Sequence, residues 1–294
     1  MASTAYVPVL TLKNGHSDTV NVVAFSPEGQ YLASGGDDHA VIIWDILEGE
    51  QVLRLPFEST VDTLVWHPVQ KDTIIVGCSS GALQQVCYLN LLRCETYDVH
   101  LGVRSHIYSL DYGSATSCLA VAIGPGVYVA RESQPNRYTG TVRLPPPIAG
   151  SKAEDSRDRA VALRFERSGT RLVVSYLTHG IICWDVHARR SLWRITPPEI
   201  YPAIGHSAIN KKFRFIAVHN FKDGVHLYSL GAEQKPLRHY KFDVEPIPDV
   251  LLQVSFIHGG QAIVCGTTTG NVCIWQTTTG ELYQTLAHQG KLYA

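Results

Sequence analysis

The chain has 294 residues, of which 45% are apolar and 17% charged, and its formal net charge is −1. This balance provides no basic surface to neutralise phosphates, which argues against a nucleic-acid partner. No stretch approaches the ~20 apolar residues of a membrane span, and the N-terminal MASTAYVPVLTLKNGH lacks the pattern of a signal peptide. We therefore expect a soluble cytoplasmic protein without membrane contact, and the composition does not exclude a nuclear location.

The seven cysteines lie mostly within apolar, strand-like runs such as TIIVGC and AIVCGT. Their odd number, and the absence of a CxxC pair, disfavour both a disulfide framework and a zinc site. The pattern predicts reduced thiols in the core, with no metal and no cofactor.

Residues 12–46 contain the clearest pattern in the chain, LKNGHSDTVNVVAFSPEGQYLASGGDDHAVIIWDI. A Gly-His pair precedes an alternating apolar run, a Ser-Pro-Glu-Gly turn, a second apolar run, a Gly-Gly-Asp-Asp turn and a third run ending in Trp-Asp. Alternation at period two, interrupted by Gly, Pro and Asp, is typical of short strands joined by tight turns. The segment predicts three strands, and the following QVLRL predicts a fourth.

Five weaker copies of this pattern follow, each with three apolar runs and a candidate fourth strand. One interval is lengthened by an insertion, PPPIAGSKAEDSRDR, between Pro145 and Arg159. Helical periodicity is absent nearly everywhere, so the sequence predicts an all-β chain of tandem four-stranded units that share one core when stacked. The expected anchor positions of the third strands are Trp44, Val86, Ala130, Trp184, Tyr228 and Trp275.

With these motifs the chain resembles the WD-repeat family along essentially its whole length. The resemblance implies one domain over residues 1–294, a β-propeller of four-stranded antiparallel blades. In that family the His, Ser/Thr, turn Asp and Trp form a buried hydrogen-bonded tetrad, which here corresponds to His16, Ser34, Asp38 and Trp44. Such a chain of hydrogen bonds would satisfy each buried polar member.

The other copies keep fewer of these residues. Gly205-His206 suggests a surviving Gly-His pair in the fifth copy, although Lys222 occupies the turn position and Tyr228 replaces Trp. In the fourth and sixth copies Trp184 and Trp275 remain, with Thr178 and Thr269 at the turn. The second and third copies keep almost none of the tetrad, so we expect apolar packing to hold those blades.

The number of blades stays open at this level. Six sets of three inner strands are accompanied by seven candidate outer strands, because the N-terminal TAYVPVLTL also predicts one. Either the ring has six blades, or it has seven with the last incomplete, and the second interpretation is preferred. An incomplete ring would expose strand edges and favour homo-oligomers.

Catalysis has weaker support than these structural roles. His16, Ser34 and Asp38 match the residue types of a hydrolase triad, but the tetrad accounts for them together with their spacing. Asp223-Gly224 indicates a hairpin turn, which places His226 on the next strand. The sequence contains no HExxH, GxSxG or phosphate-binding Gly-rich Lys-Ser/Thr motif.

These observations favour a non-enzymatic scaffold or adaptor that binds a protein or peptide on the face carrying the linkers between blades. The alternatives are a protein that self-associates through open edges and, less favoured, an enzyme with a site at the channel mouth. Phe221, in the turn HNFKDG, is a candidate aromatic anchor. By position, the candidate binding residues are Ser17, Thr19, Asp37, Glu58, Thr60, Ser79, Arg104, Ile123, Arg157, Asp158, Leu177, His206, Phe221, Asp249 and Thr268.

Overall fold

The structure is a computed structural model that describes residues 5–90, 93–147, 159–197, 203–210, 212, 214–231, 233–242, 244, 247 and 250–287. The chain forms two compact units. The first unit comprises residues 7–146 and 167–170, and the second comprises residues 1–6, 147–166 and 171–294. The single domain expected from the sequence stays a prediction.

The first unit contains three four-stranded antiparallel sheets, each built from consecutive strands. Blade 1 consists of β1 (Val20–Phe25), β2 (Tyr31–Gly36), β3 (Ala40–Asp45) and β4 (Gln51–Pro56). Blade 2 consists of β5 (Val61–Trp66), β6 (Thr73–Cys78), β7 (Leu83–Asn90) and β8 (Arg93–Asp98). Blade 3 consists of β9 (Ile107–Gly113), β10 (Cys118–Ile123), β11 (Gly126–Gln134) and β12 (Arg137–Arg143).

The second unit repeats this plan. Blade 4 consists of β13 (Ala160–Phe165), β14 (Arg171–Tyr176), β15 (Gly180–Asp185) and β16 (Arg190–Ile195). Blade 5 consists of β17 (Ile204–Asn210), β18 (Phe215–Asn220), β19 (Gly224–Ser229) and β20 (Arg238–Lys241). Blade 6 consists of β21 (Val254–Ile257), β22 (Ala262–Gly266), β23 (Asn271–Gln276) and β24 (Leu282–Ala287), with a 3₁₀ turn at His258–Gly260.

The predicted all-β fold of four-stranded antiparallel blades is confirmed, and the blades are of the β-propeller type. Within the first unit the first strands β1, β5 and β9 pack beside one another, and within the second unit β13, β17 and β21 do so. Since strands alternate in direction, the turns between first and second strands lie at one end of each blade. The turns between second and third strands share the opposite end with the linkers between blades.

Burial explains why the inner strands are easy to recognise in the sequence. β3 reads AVIIWD and is almost wholly buried, because neighbouring strands flank it within the sheet and other residues pack on both faces. The outer strand β4 reads QVLRLP and alternates between exposed and half-buried residues. All six predicted third-strand anchors are buried, whether the residue is Trp, Tyr, Val or Ala.

The N-terminal segment corrects one expectation. Residues 5–12, the described part of the predicted extra outer strand TAYVPVLTL, form no strand. The backbone N–H of Tyr6 instead donates to Gln284 Oε1 (2.7 Å), and Gln284 Nε2 donates to the Tyr6 carbonyl (2.9 Å), so a side-chain amide replaces a strand ladder. Blade 6 takes its outer strand, β24, from its own repeat, so the preferred count of seven blades was wrong and the structure has six.

All seven cysteines are free thiols. Cys78, Cys183, Cys265 and Cys273 are buried, and burial raises the pKa of Cys78 to about 11. Cys94 is exposed, so the prediction of core thiols does not extend to it.

The described residues include no helix that is long and apolar enough to cross a membrane.

Candidate partner-binding site and its supporting networks

The predicted tetrad residues of blade 1 lie together in one hydrogen-bonded chain. His16 Nδ1 is 2.8 Å from Asp38 Oδ1, His16 Nε2 is 2.8 Å from Ser34 Oγ, and Trp44 Nε1 donates to Ser34 Oγ at 2.9 Å. Because a carboxylate only accepts and an indole only donates, a neutral His16 imidazole allows one direction for the chain. Trp44 donates to Ser34, the Ser34 hydroxyl donates to His16, and His16 donates to Asp38.

Gly15 precedes the tetrad histidine because no side chain fits there. A Cβ atom at this position would lie 2.3 Å from the Trp44 ring, well inside van der Waals contact. The backbone of the Gly-His segment can therefore pack directly on the indole. The Gly15 carbonyl also accepts a hydrogen bond from Arg54 Nη1 (2.6 Å), which ties the segment to the outer strand β4.

Asp38 is the charged end of this chain. Burial opposes its ionisation, but hydrogen bonds from His16, from Arg54 Nη2 (2.7 Å) and from the Ser17 N–H (3.1 Å) outweigh burial. Together they lower the pKa of Asp38 to about 2. The carboxylate therefore stays ionised across the physiological range and holds the β2–β3 turn against the residues that precede β1.

The chain from Ser34 through His16 to Asp38 has the hydrogen-bond order of a hydrolase triad. Ser34 is only 4% exposed, and its oxygen already accepts the Trp44 N–H. A nucleophile needs space beside its oxygen for the substrate carbonyl. The arrangement therefore favours the structural role that the resemblance implies.

A second polar network connects blades 2 and 3, and sequence reasoning did not anticipate it. Its centre is Glu132 on β11, whose carboxylate accepts hydrogen bonds from Tyr112 OH (2.5 Å), Gln70 Nε2 (2.6 Å), His67 Nε2 (2.8 Å) and the Asn136 N–H (3.0 Å). Burial favours the protonated carboxyl, but these donors together hold the pKa of Glu132 below its ordinary value. A buried carboxylate with four donors binds two blades that lack tetrad residues, so apolar packing is not their only support.

The network extends beyond the carboxylate. Gln85 on β7 donates to Asn136 Oδ1 (2.6 Å) and accepts from Tyr138 OH (2.7 Å). His67 Nδ1 accepts from the Gln70 N–H (2.8 Å), so its proton lies on Nε2, directed at Glu132. The network lies at the end of the blades opposite the linkers, which leaves the linker end free for other contacts.

A groove opens at the linker end of blade 2. Its volume is about 490 Å³. Buried apolar residues form its floor, chiefly Leu83, Val99 and Leu101, which are 5%, 6% and 7% exposed. Exposed charged and polar residues form its rim: Glu58, Asp98, His100 and Arg104.

Two residues that the sequence singled out, Glu58 and Arg104, lie on the rim of this groove. They come from successive linkers, the first leading into blade 2 and the second leading out of it. Arg104 Nε donates to the Ser80 carbonyl (3.3 Å), and Phe57, which also lines the groove, is fixed by a bond from its N–H to the His39 carbonyl (2.8 Å). The groove is therefore bounded by backbone-anchored segments.

The N-terminal part of the chain matches a known protein family. Residues 6–45 match the family model described as WD domain, G-beta repeat. They contain the whole tetrad and blade 1 up to the end of β3, and the same four-stranded unit recurs five more times. The first repeat is therefore a WD repeat, and the six blades have the fold of a WD-repeat propeller.

Among the similar curated proteins are several fungal relatives described as ribosome biogenesis protein ERB1. The relative from Ajellomyces capsulatus is 40% identical over 73 residues, which is 24% of this chain and 9% of the relative. The relative from Neurospora crassa is 41% identical over 119 residues, 40% of this chain and 15% of the relative. The relative from Coccidioides immitis is 38% identical over 131 residues, 44% of this chain and 14% of the relative. The matched segments thus span 9 to 15% of the length of these relatives.

The later repeats differ from the first in their polar contacts. In blade 4 Val174 stands at the register of Ser34, and the neighbouring Ser175, at the register of Gly35, bonds to Ser207 of the next blade at 2.6 Å. The expected Gly205-His206 pair lies inside β17, where His206 pairs with His219 at the register of Val22 and Gly35. The fifth repeat therefore has no Gly-His pair at this place, and apolar periodicity alone did not reveal the shift.

Several candidate residues of the WD-repeat linker face are not accessible. Ile123 is 3% exposed because the β10–β11 turn has two residues where blade 1 has three, which places Ile123 at the register of Gly36 inside the strand. Leu177 is 3% exposed and packs in the apolar core. Thr268 is 7% exposed, and its hydroxyl accepts the Ile247 N–H (3.2 Å). These three, with the half-buried strand residue His206, are corrections to the predicted face.

The remaining candidates divide as follows. In the first unit Ser17, Thr19, Glu58 and Arg104 are exposed, and Asp37, Thr60 and Ser79 are half-buried. Phe221, in the second unit, is half-buried and its ring packs edge-on to His219 at 5.7 Å, so part of its surface is occupied by the core. Arg157, Asp158 and Asp249 lie outside the described residues.

Proposed function

We propose that this chain is a non-enzymatic scaffold in ribosome biogenesis that binds a protein or peptide segment through the groove at the linker end of blade 2. The groove carries the proposal, because an apolar floor with a charged rim suits a peptide that inserts apolar side chains and pairs its polar groups at the edge. Glu58 and Arg104 offer charges of opposite sign, which would orient such a segment.

The relatives support the biological setting. Their shared description as ribosome biogenesis proteins fits a chain built from binding repeats. Assembly of ribosomes begins in the nucleus, so we propose a nuclear location in place of the cytoplasmic one expected from composition. The comparisons do not support the cytoplasmic assignment.

The test is affinity purification of the tagged chain from its native host, with quantitative mass spectrometry of the recovered proteins. The variant Glu58→Lys with Arg104→Glu reverses both rim charges and leaves the net charge unchanged. The matched control is Glu28→Lys with Lys71→Glu, which makes the same exchange in exposed turns at the opposite end of blades 1 and 2. We expect ribosome-assembly proteins to be recovered with the wild type and the control, and to fall about tenfold with the groove variant, since a rim charge pair contributes ~1–1.5 kcal/mol.

Equal recovery with the groove variant would place the contact elsewhere. Recovery of proteins unrelated to ribosome assembly would contradict the biological setting while leaving the groove as a binding site. The two parts of the proposal can therefore fail separately.

Self-association remains a second candidate because of one observation in blade 1. Val23 and Phe25 on β1 are 51% and 64% exposed, although both are large and apolar. Exposed apolar side chains on neighbouring positions of one strand face are typical of an interface. If light scattering shows concentration-dependent oligomers that the variant Phe25→Ser abolishes, self-association through β1 is supported. A monomer at all concentrations would exclude it.

A further inference from the structure

Blade 5 contains a group of side chains that neither the tetrad nor the groove explains. Asp223 in the β18–β19 turn, His226 on β19 and His239 on β20 converge on one point. His226 Nε2 is 3.3 Å from Asp223 Oδ1, and His239 Nε2 is 2.8 Å from Asp223 Oδ2. The two imidazole rings are nearly perpendicular, with centroids 4.4 Å apart.

These separations match those of metal ligands. Imidazole nitrogen and carboxylate oxygen bind Zn²⁺ at about 2.0–2.2 Å, so ligand atoms around a tetrahedral ion are roughly 3.4 Å apart. One ligand atom from each of the three residues lies within 4.8 Å of the other two, so small rotations of the side chains would bring them to that spacing. Within the described part of the chain, no other group of three His, Cys, Asp or Glu side chains converges in this way.

Neighbouring groups orient the carboxylate. Asn220 Nδ2 donates to Asp223 Oδ1 (2.7 Å), and Asn220 Oδ1 accepts from the backbone N–H groups of Lys222 (2.8 Å) and Asp223 (3.0 Å). The Tyr228 hydroxyl lies 3.4 Å from His226 Nδ1. Ligands of bound metals are commonly fixed by such outer hydrogen bonds, which set both the rotamer and the tautomer.

The register of these three residues suggests that they take the place of the tetrad contacts of blade 1. His226 pairs across the sheet with His239 at the register where Ile42 pairs with Arg54 in blade 1. Blade 5 carries Val218 and Lys222 where blade 1 has Ser34 and Asp38, so it cannot form the tetrad. A metal ion held by the turn, the third strand and the short outer strand would join the same three elements that Asp38, Trp44 and Arg54 join in blade 1.

We propose that Asp223, His226 and His239 bind one divalent metal ion of the zinc class. Two imidazoles and one carboxylate suit Zn²⁺ and Co²⁺ better than the all-oxygen cations Mg²⁺ and Ca²⁺. The Asp223 and His239 side chains are 19% and 25% exposed, so water can reach the fourth coordination position. The ion stabilises the turn and β20 of blade 5.

The experiment is titration of the chelator-treated full chain with Co²⁺ alone, followed by visible absorption and then by displacement with Zn²⁺. We expect one Co²⁺ per chain with the intense band of a low-coordinate ion, and a rise of several degrees in Tm with Zn²⁺. The variant His226→Gln should weaken Co²⁺ binding at least tenfold.

Two further variants separate metal binding from folding. His239→Arg removes a ligand but supplies the residue type that blade 1 has at this register, so it keeps a cation beside Asp223. It should fold, lose the Co²⁺ band and lose the Zn²⁺-dependent rise in Tm. The control His106→Gln alters a pair whose His106 Nε2 is 3.2 Å from Asp62 Oδ2 and which no third ligand joins among the described residues, and it should leave Co²⁺ binding unchanged. Absence of saturable Co²⁺ binding in the wild type, or its persistence in His239→Arg, would overturn the proposal.

Discussion

Blade 1 and the pair formed by blades 2 and 3 are held by polar networks of different design. In blade 1 the chain from Trp44 to Asp38 stays within one repeat and fixes the linker end. In blades 2 and 3 the Glu132 carboxylate gathers donors from both repeats at the opposite end. In blades 2 and 3, which lack the tetrad residues, a buried acid thus supplies polar support of the kind that the tetrad supplies in blade 1.

The two networks also differ in the partners that stabilise their carboxylates. The Asp38 side chain is only 2% exposed, but its partner is a full cation, Arg54, whose side chain is 39% exposed and shares the charge pair with solvent. Glu132 is held by neutral donors and by His67, whose Nδ1 is occupied by backbone N–H groups. Loss of the central acid should therefore be more costly in blades 2 and 3 than in blade 1.

The largest effect is expected from Glu132→Ala, which should lower the free energy of unfolding by about 3–5 kcal/mol. The substitution leaves the buried His67 and the half-buried Tyr112 and Gln70 without their acceptor. Urea denaturation measures the change, and Glu28→Ala, an exposed turn residue, is the control with no expected effect. A loss below about 1 kcal/mol would show that water replaces the carboxylate and that the network is not a main support.

A double-mutant cycle sharpens the same comparison. Glu132→Gln weakens the acceptor and Tyr112→Phe removes the donor of one hydrogen bond, so their effects should be non-additive. Glu132→Gln and Asp38→Asn belong to networks with no shared partner, so their effects should add. Coupling of the second pair would indicate that the two networks act as one.

The next effect concerns Asp38→Asn, which should cost about 2 kcal/mol at pH 7, as expected from a pKa lowered from 3.8 to about 2. Since the folded-state pKa lies below that of the unfolded chain, this stability is present above about pH 4 and is lost as the pH falls through 2. As the pH falls from 4 to 2, the variant should therefore lose less stability than the wild type. Asp18→Asn, an exposed neighbour, should leave that loss unchanged.

A smaller effect is expected from Trp44→Phe, which removes the indole N–H while keeping most of the buried ring. Ser34 would still donate to His16, so the loss should be about 1 kcal/mol beyond the change in packing. Thermal denaturation with near-ultraviolet detection measures it. A loss of stability as large as that of Asp38→Asn would mean that the indole N–H contributes as much to the stability of the tetrad as the carboxylate does.

The smallest effect is expected from Arg54→Lys, because the arginine side chain is 39% exposed. Solvent screens such a pair, and the expected cost is about 0.2–1 kcal/mol. Lysine lacks the planar fork by which Arg54 bonds to the Gly15 carbonyl through Nη1 and to Asp38 through Nη2, so the variant should also lower the hydrogen-exchange protection of the Gly-His segment. Unchanged protection would show that the segment is held by the tetrad alone.

Much of the fold could be predicted because its signals are local. Alternation of apolar residues and the Gly, Pro and Asp of tight turns are read directly from neighbouring positions, so the strands of all six blades and their buried anchors were correctly placed. The N-terminal TAYVPVLTL was misjudged because alternation also occurs in a segment that bonds through the Gln284 side chain. The Gly205-His206 pair was misjudged because a dipeptide carries no information on its register.

The sequence by itself determined the all-β repeat architecture and brought the tetrad residues to attention, since both depend on spacing within one repeat. The tertiary structure decided which polar residues from different elements meet: Glu132 with Tyr112 and His67, and Asp223 with His226 and His239. It also decided that Ile123, Leu177 and Thr268 are buried while Glu58 and Arg104 border a groove. Contacts between distant positions depend on turn length and strand register, and a change of one residue in either moves a side chain from solvent to the core.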